Sequence, residues 1–177
     1  METKVYLLSL LPFRQKYPEL TKRGIEKLAG DSLIKTVFFQ LFRLENIEII
    51  REGKPYIKDY PYQFNLSHSG DYLLLAVGDA PIGADIEKIT KIRPKMMEKY
   101  FNPAEQKQVQ TSGIKKFFEI WTQKESYVKY TGEGIKALSK DLIYPEDVAF
   151  FTEQYEDYQI SVCTKKECLP LKVERLK

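Results

Sequence analysis

The stretch PIGADIEKI, residues 81–89, decides how this chain is divided. Pro81 precedes a β run, Ile82 to Glu87, and marks the break between what comes before and after it. Along an extended strand, side chains two apart leave the same face, so Asp85 and Glu87 project together while Ala84 and Ile86 face the other way. Two like charges side by side repel each other, and a cation is their natural remedy. The plainer alternative is a pair of solvated carboxylates near the end of an edge strand.

Upstream of the break, a β run from Lys4 to Leu11 leads into helical pattern through Leu28 and again from Asp31 to Arg43. Short strands are expected at Ile47 to Ile50, Phe64 to Ser67 and Tyr72 to Val77. Downstream, helical segments are expected at Lys95 to Tyr100, Pro103 to Gln110 and Ile114 to Thr131. Strand-like pieces follow at Val148 to Thr152, Tyr158 to Cys163 and Leu171 to Leu176. Strand, helices and strands thus occur twice, which predicts an α+β fold of two pseudo-equivalent halves, residues 1–81 and 82–177. Asn102, Pro103 and Glu105 form a capped helix start, and Gly132 and Gly134 end the long helix. Residues 141–164 are acidic, without Lys or Arg, and read as a solvated hairpin.

A chain of 177 residues suffices for one compact unit, and its 43% hydrophobic and 30% charged content is that of a globular protein. Charge is evenly spread: residues 1–84 carry 11 basic against 10 acidic groups, and residues 85–177 carry 17 against 15. No basic arm exists to neutralise a nucleic-acid backbone, although a few cations for one phosphorylated ligand remain compatible. Cys163 and Cys168 read as reduced structural thiols, since one histidine and two cysteines are too few for an ordinary zinc site. The apolar stretch Val5 to Leu11 is too short to span a bilayer and lacks the flanks of a signal peptide, so a cytoplasmic protein without membrane contact is expected.

Chemistry is concentrated in two further stretches. In WTQKESYVKYTGEG, residues 121–134, a rotation of about 100° per residue puts Glu125 inside the apolar stripe of Ile114, Phe117, Phe118, Trp121 and Val128. A carboxylate there must be paired, hydrogen-bonded, protonated or metal-bound, because uncompensated charge costs several kcal/mol. An intrahelical pair with Lys129 is the plain reading. If the acidic strand end faces Glu125, three carboxylates converge as hard oxygen donors suited to Mg2+. In REGKPYIKDYPYQFNLSHSG, residues 51–70, Lys54, Ser67, His68, Ser69 and Gly70 offer donors suited to a phosphate, or simply form a polar turn.

In order and spacing, FNLSHSG, GADIE and WTQKESYVKYTGEG resemble the 4'-phosphopantetheinyl transferase family, in its monomeric, two-halved type that activates nonribosomal peptide and polyketide synthases. The similarity runs from roughly Asp31 to Lys140, with Gly53-Lys54-Pro55 where the family has its own Gly-Lys-Pro. The resemblance implies that Asp85, Glu87 and Glu125 hold Mg2+ on the pyrophosphate of coenzyme A. It implies phosphate contacts from Lys129, with Lys124 as a second, and coenzyme A contacts from Lys54, Ser67 and His68. The site would lie in the cleft between the halves, with catalysis resting on Glu125, Lys129 and His68. The implied reaction transfers 4'-phosphopantetheine from coenzyme A to a serine of an acyl or peptidyl carrier protein, releasing adenosine 3',5'-bisphosphate.

Within that resemblance, Glu26 stands where a basic residue is expected, and Lys16, Lys22 or Arg23 is left to meet the adenosine 3'-phosphate. In residues 96–116, Met96, Met97, Tyr100 and Phe101 mix with Lys99, Lys107, Lys115 and Lys116. They suit an acidic carrier protein if exposed, or pack under a short helix if not. The alternative function is a non-catalytic protein of the same fold that binds a carrier protein or coenzyme A. Against it, such a protein has no physical need to keep mutually repelling carboxylates together.

Overall fold

The computed structural model describes residues 1–170 and 172–176. It is a mixed α/β protein with two main sheets and, among the described residues, five α-helices. Strand β1 (Lys4–Ser9) is followed by α1 (Leu11–Lys16) and the long α2 (Lys22–Phe42). Two short strands, β2 (Ile49–Ile50) and β3 (Tyr56–Ile57), precede the hairpin of β4 (Gln63–Ser69) and β5 (Tyr72–Gly78). Then come β6 (Ile82–Lys88), α3 (Pro94–Tyr100), α4 (Pro103–Ser112) and α5 (Ile114–Thr131). The hairpin of β7 (Val148–Tyr155) and β8 (Tyr158–Lys165) follows, with β9 (Val173–Leu176) last. The strand expected from Leu171 is thus seen from Val173, and Leu171 itself lies outside the described residues.

Two-residue alternation builds the layers. In β1 and β5, Tyr6, Leu8, Leu73, Leu75 and Val77 pack on α2 through Ile25, Ala29, Leu33, Ile34 and Phe38. The intervening residues Val5, Leu7, Leu74 and Ala76 turn to the opposite face. There they meet Ile82, Ala84 and Ile86 of β6 and Ile160 and Val162 of β8. One sheet therefore has the order β4-β5-β1-β9 and stacks on a second of order β6-β8-β7, with α2 covering one outer face and α5 the other. Each fully buried aliphatic or aromatic side chain in these layers is worth about 1.5–3 kcal/mol.

Several expectations shift. The two helical stretches before Arg43 form one helix through Gly30, which ends where Arg43 takes a left-handed conformation. β9 pairs parallel to β1, so the last strand of the second half joins the sheet of the first. The β7–β8 hairpin exists, yet β8 is the buried central strand of its sheet, so the segment is not solvated throughout. Phe101 is fully buried, and Met96, Met97 and Tyr100 pack on the core formed with Phe117, Phe118 and Trp121. Phe101 thus belongs to the core, whereas Met96, Met97 and Tyr100 are only partly buried against it. The α4 start carries the expected capping box, with Asn102 and Glu105 each bonding the other's backbone amide.

Candidate active site

The site is built on the line where the edge of β4 meets the edge of β6. Backbone pairing does not join these strands; alternate β4 side chains do. Asn65 Oδ1 accepts from the Ala84 amide at 2.9 Å, Ser67 Oγ from the Ile86 amide at 3.4 Å and Ser69 Oγ from the Lys88 amide at 3.0 Å. The register steps by two on both strands, so the residues between those amides, Asp85 and Glu87, turn to the face that α5 covers.

Helix α5 comes unusually close to that face. A Cβ on Gly83 would stand 1.8 Å from the carbonyl oxygen of Ser126 and 2.4 Å from the amide nitrogen of Tyr130, so only glycine admits the helix here. Thr122 on the same side of α5 shares a 2.7 Å hydrogen bond with Ser161 of β8. This small, polar contact seats the helix on the sheet, while its apolar residues face α3 and α4. Glu125 and Lys129 are thereby carried to the β4–β6 seam.

Lys129 does not pair with Glu125. Its Nζ donates to Asp85 Oδ1 at 2.7 Å, Ser67 Oγ at 3.0 Å and the Ala84 carbonyl at 3.2 Å. Asp85, only 5% exposed, also receives the Ser67 hydroxyl on Oδ1 at 2.9 Å, while its buried Oδ2 has no partner. Glu87 Oε2 accepts from Ser69 Oγ and its Oε1 from Trp121 Nε1, both at 3.4 Å. Burial first, and the charge of Asp85 second, raise the Glu87 carboxyl above its ordinary value. The Glu125 carboxyl is pushed up to about 7 by burial, then by Asp85 and Glu87, with Lys129 opposing them.

The three acids are therefore near enough to repel one another. Among the described residues, however, no group of three or more His, Cys, Asp or Glu side chains is placed so that it could hold a metal ion. The donor set nevertheless fits a hard divalent cation: three carboxylates in mutual repulsion, one presenting a bare buried oxygen.

Two clefts flank β4 and share Leu66 as a wall. One, of about 520 Å³, is lined by Lys54, Asn65, Glu125 and Lys129. There Lys54 Nζ reaches the carbonyls of Ile82 at 2.7 Å and Tyr130 at 3.1 Å, and burial lowers its ammonium to about 8. The other, of about 280 Å³, gathers Arg23, Lys27, Arg51 and His68 with the acids Glu26 and Asp31. His68 Nδ1 lies 3.3 Å from Glu26 Oε1, and Asp31 holds both Lys27 and Arg51.

Of the residues expected at the site, Ser67, Asp85 and Lys129 touch one another, Glu87 adjoins them along β6, and Glu125 and Lys54 line the adjoining cleft. His68 lies on the opposite side of β4. Lys124 is elsewhere: 1% exposed, it pairs with Glu105 at 3.0 Å, between α5 and α4. Sequence reasoning missed Asn65 and Ser69 as seam residues, Trp121 as a donor to Glu87, and Lys27 and Arg51 in the second cleft. For the seam the signal was present: Asn65, Ser67 and Ser69 repeat with the same two-residue period as Asp85 and Glu87.

The model of the 4'-phosphopantetheinyl transferase superfamily matches residues 81–176, which hold β6, α5 and all three acids. The 4'-phosphopantetheinyl transferase psf-1 of Bacillus pumilus is 34% identical over 174 residues, covering 84% of this chain and 75% of the relative. The 4'-phosphopantetheinyl transferase gsp of Aneurinibacillus migulanus is 31% identical, with 81% and 70% covered. The 4'-phosphopantetheinyl transferase AcpT of Escherichia coli K12 is 30% identical, with 91% and 87% covered.

Proposed function

The chain belongs to the 4'-phosphopantetheinyl transferase superfamily and is such a transferase. From that premise we propose that it moves the 4'-phosphopantetheine group of coenzyme A onto a serine hydroxyl of an acyl or peptidyl carrier protein. The reaction is Mg2+-dependent and releases adenosine 3',5'-bisphosphate. The carrier protein belongs to a nonribosomal peptide or polyketide synthase, and the enzyme acts as a cytoplasmic monomer. Its halves, residues 1–81 and 82–177, are pseudo-twofold equivalents, each supplying one wall of the site. No helix among the described residues is long and apolar enough to cross a membrane.

One observation carries the reading: Asp85 and Glu87 both raise the carboxyl of Glu125, which lines an open cleft, and Asp85 Oδ2 is buried without a partner. These three acids would hold the ion. Bound there, Mg2+ supplies neutralisation of the charge that develops on the departing phosphate.

The chain's own residues do the rest. Coenzyme A straddles Leu66, its diphosphate in the cleft of Lys54 and Lys129 and its ribose phosphate in the cleft of Arg23, Lys27, Arg51 and His68. Arg23 is the one of the three early candidates that lines this second cleft with His68. Ser67, between the clefts, serves the diphosphate side through Lys129. The carrier's serine oxygen attacks the phosphorus bearing pantetheine, and the bond from that phosphorus to the bridging oxygen breaks. Glu125, on the wall of the cleft, takes the serine proton. Lys129 and Lys54 offset charge on the leaving phosphate.

Incubation with coenzyme A, Mg2+ and apo carrier proteins of fatty acid, polyketide and peptide synthesis, followed by intact mass measurement, tests the reading. The expected result is a mass gain of one phosphopantetheine on at least one carrier, abolished by chelator. No gain on any carrier, with coenzyme A still bound, would favour the non-catalytic alternative.

A further inference from the structure

Ser67 is 6% exposed, and its hydroxyl is fully committed. It accepts from the Ile86 amide at 3.4 Å and from Lys129 Nζ at 3.0 Å, and it donates to Asp85 Oδ1 at 2.9 Å. Lys129 takes the same carboxylate oxygen at 2.7 Å. Both partners of Asp85 therefore fall on Oδ1, and Oδ2 is left buried and bare.

Two residues along, the pattern repeats. Ser69 Oγ accepts from the Lys88 amide at 3.0 Å and donates to Glu87 Oε2 at 3.4 Å. In each case one hydroxyl grips a β6 amide and the carboxylate of the residue just before that amide. Main chain and side chain are fixed by a single atom, which defines both the position and the rotamer of the acid. Asn65 continues the row by accepting from the Ala84 amide at 2.9 Å, without touching an acid.

We propose that Ser67 and Ser69 are positioning residues: strand β4 acts as a template that holds Asp85 and Glu87 and decides which carboxylate oxygen is presented to the cation. The inference rests on the reading that these acids bind a divalent ion. It adds that the ion's affinity is set from the opposite sheet, by groups that do not themselves bind it. It also gives the spacing of Asn65, Ser67 and Ser69 a physical reason, since only alternate residues can meet the amides flanking two acids that share a face.

The test is Mn2+ binding, read from the loss of the free-ion electron paramagnetic resonance signal, with coenzyme A present and no carrier protein. Far-UV circular dichroism and thermal melting report folding. Partners that orient metal ligands typically contribute about 10–100-fold to affinity, so Ser67→Ala is expected to weaken Mn2+ binding within that range. Ser69→Ala, acting through a longer contact, is expected to weaken it less, and Ser67→Thr, which keeps the hydroxyl, to restore most of the affinity. The apparent KM for Mg2+ should rise in the same order, with kcat at saturating Mg2+ changing less. Should Ser67→Ala fail to fold, Ser69→Ala at its partly buried position carries the test alone. Mn2+ affinity within twofold of the unsubstituted protein in the folded alanine variants would overturn the positioning role and leave the transferase reading standing. Absence of Mn2+ binding by the unsubstituted protein would instead overturn the metal reading and this inference with it.

Discussion

The ammonium of Lys129 lies 2.7 Å from Asp85 Oδ1, on a strand of the sheet that α5 covers, although Glu125 is available one turn away on its own helix. Asp85 is the more deeply buried acid and has more to gain from a cation. Lys129→Ala leaves its charge with the Ser67 hydroxyl but no cation and is expected to cost about 1.5–3 kcal/mol of stability in chelator, measured by urea unfolding. Mg2+ with coenzyme A should recover more stability in the variant than in the unsubstituted protein. Transfer should fall about 100-fold or more, and a variant equal in both stability and turnover would remove Lys129 from the account.

Glu125→Gln should separate stability from activity. In the folded, metal-free protein this carboxyl keeps its proton to about pH 7, whereas its ordinary value is 4.5. Between those values the folded state binds more protons than the unfolded one, so this group's contribution is complete below pH 4.5 and is lost as pH rises through 7. The glutamine variant should melt higher than the parent at pH 8 in chelator and about equally near pH 4. Its turnover should fall about 100-fold or more. A variant that melts lower at pH 8, or that turns over normally, would contradict the role.

Lys124 and Glu105 form a buried pair that holds α4 on α5. Removing one partner of such a pair strands the other, at about 3–5 kcal/mol, so Lys124→Ala should destabilise by that order. Lys124→Met, which keeps the packed stem, should cost less. Denaturant titration measures both. In folded Lys124→Met the KM for coenzyme A should be unchanged; a large rise would return Lys124 to the phosphate site.

Gly83→Ala drives a methyl group into the backbone of α5 at Ser126 and Tyr130. Overpacking of this kind costs about 1–3 kcal/mol and is relieved here only by lifting the helix that carries Glu125 and Lys129. Stability and kcat should therefore drop together, whereas at Gly53, where an added Cβ meets nothing within 4 Å, packing gives no reason for such a coupled loss.

Periodicity made the main elements legible. The limits of α5, the α4 capping box and the shared face of Asp85 and Glu87 follow from local spacing and appear in the structure as expected. What local spacing could not supply is how edges meet. The pairing of β9 with β1, the burial of β8 and the choice of Lys129 between Glu125 and Asp85 depend on sheet stacking. Lys124 misled for the same reason. Within its motif it is one more lysine beside a glutamate, and only the packing of α4 shows that Glu105 claims it. The cleft of Arg23, Lys27, Arg51 and His68 draws on α2, the loop after β2 and β4, which no short motif spans.

The most direct measurement is anomalous diffraction from crystals grown with coenzyme A and Mn2+. One Mn2+ peak is expected beside the diphosphate, with oxygens of Asp85, Glu87 and Glu125 all turned onto it and Lys129 moved from Asp85 toward phosphate. Coenzyme A bound in the cleft with the three carboxylates turned apart, and no shared ion between them, would contradict that expectation.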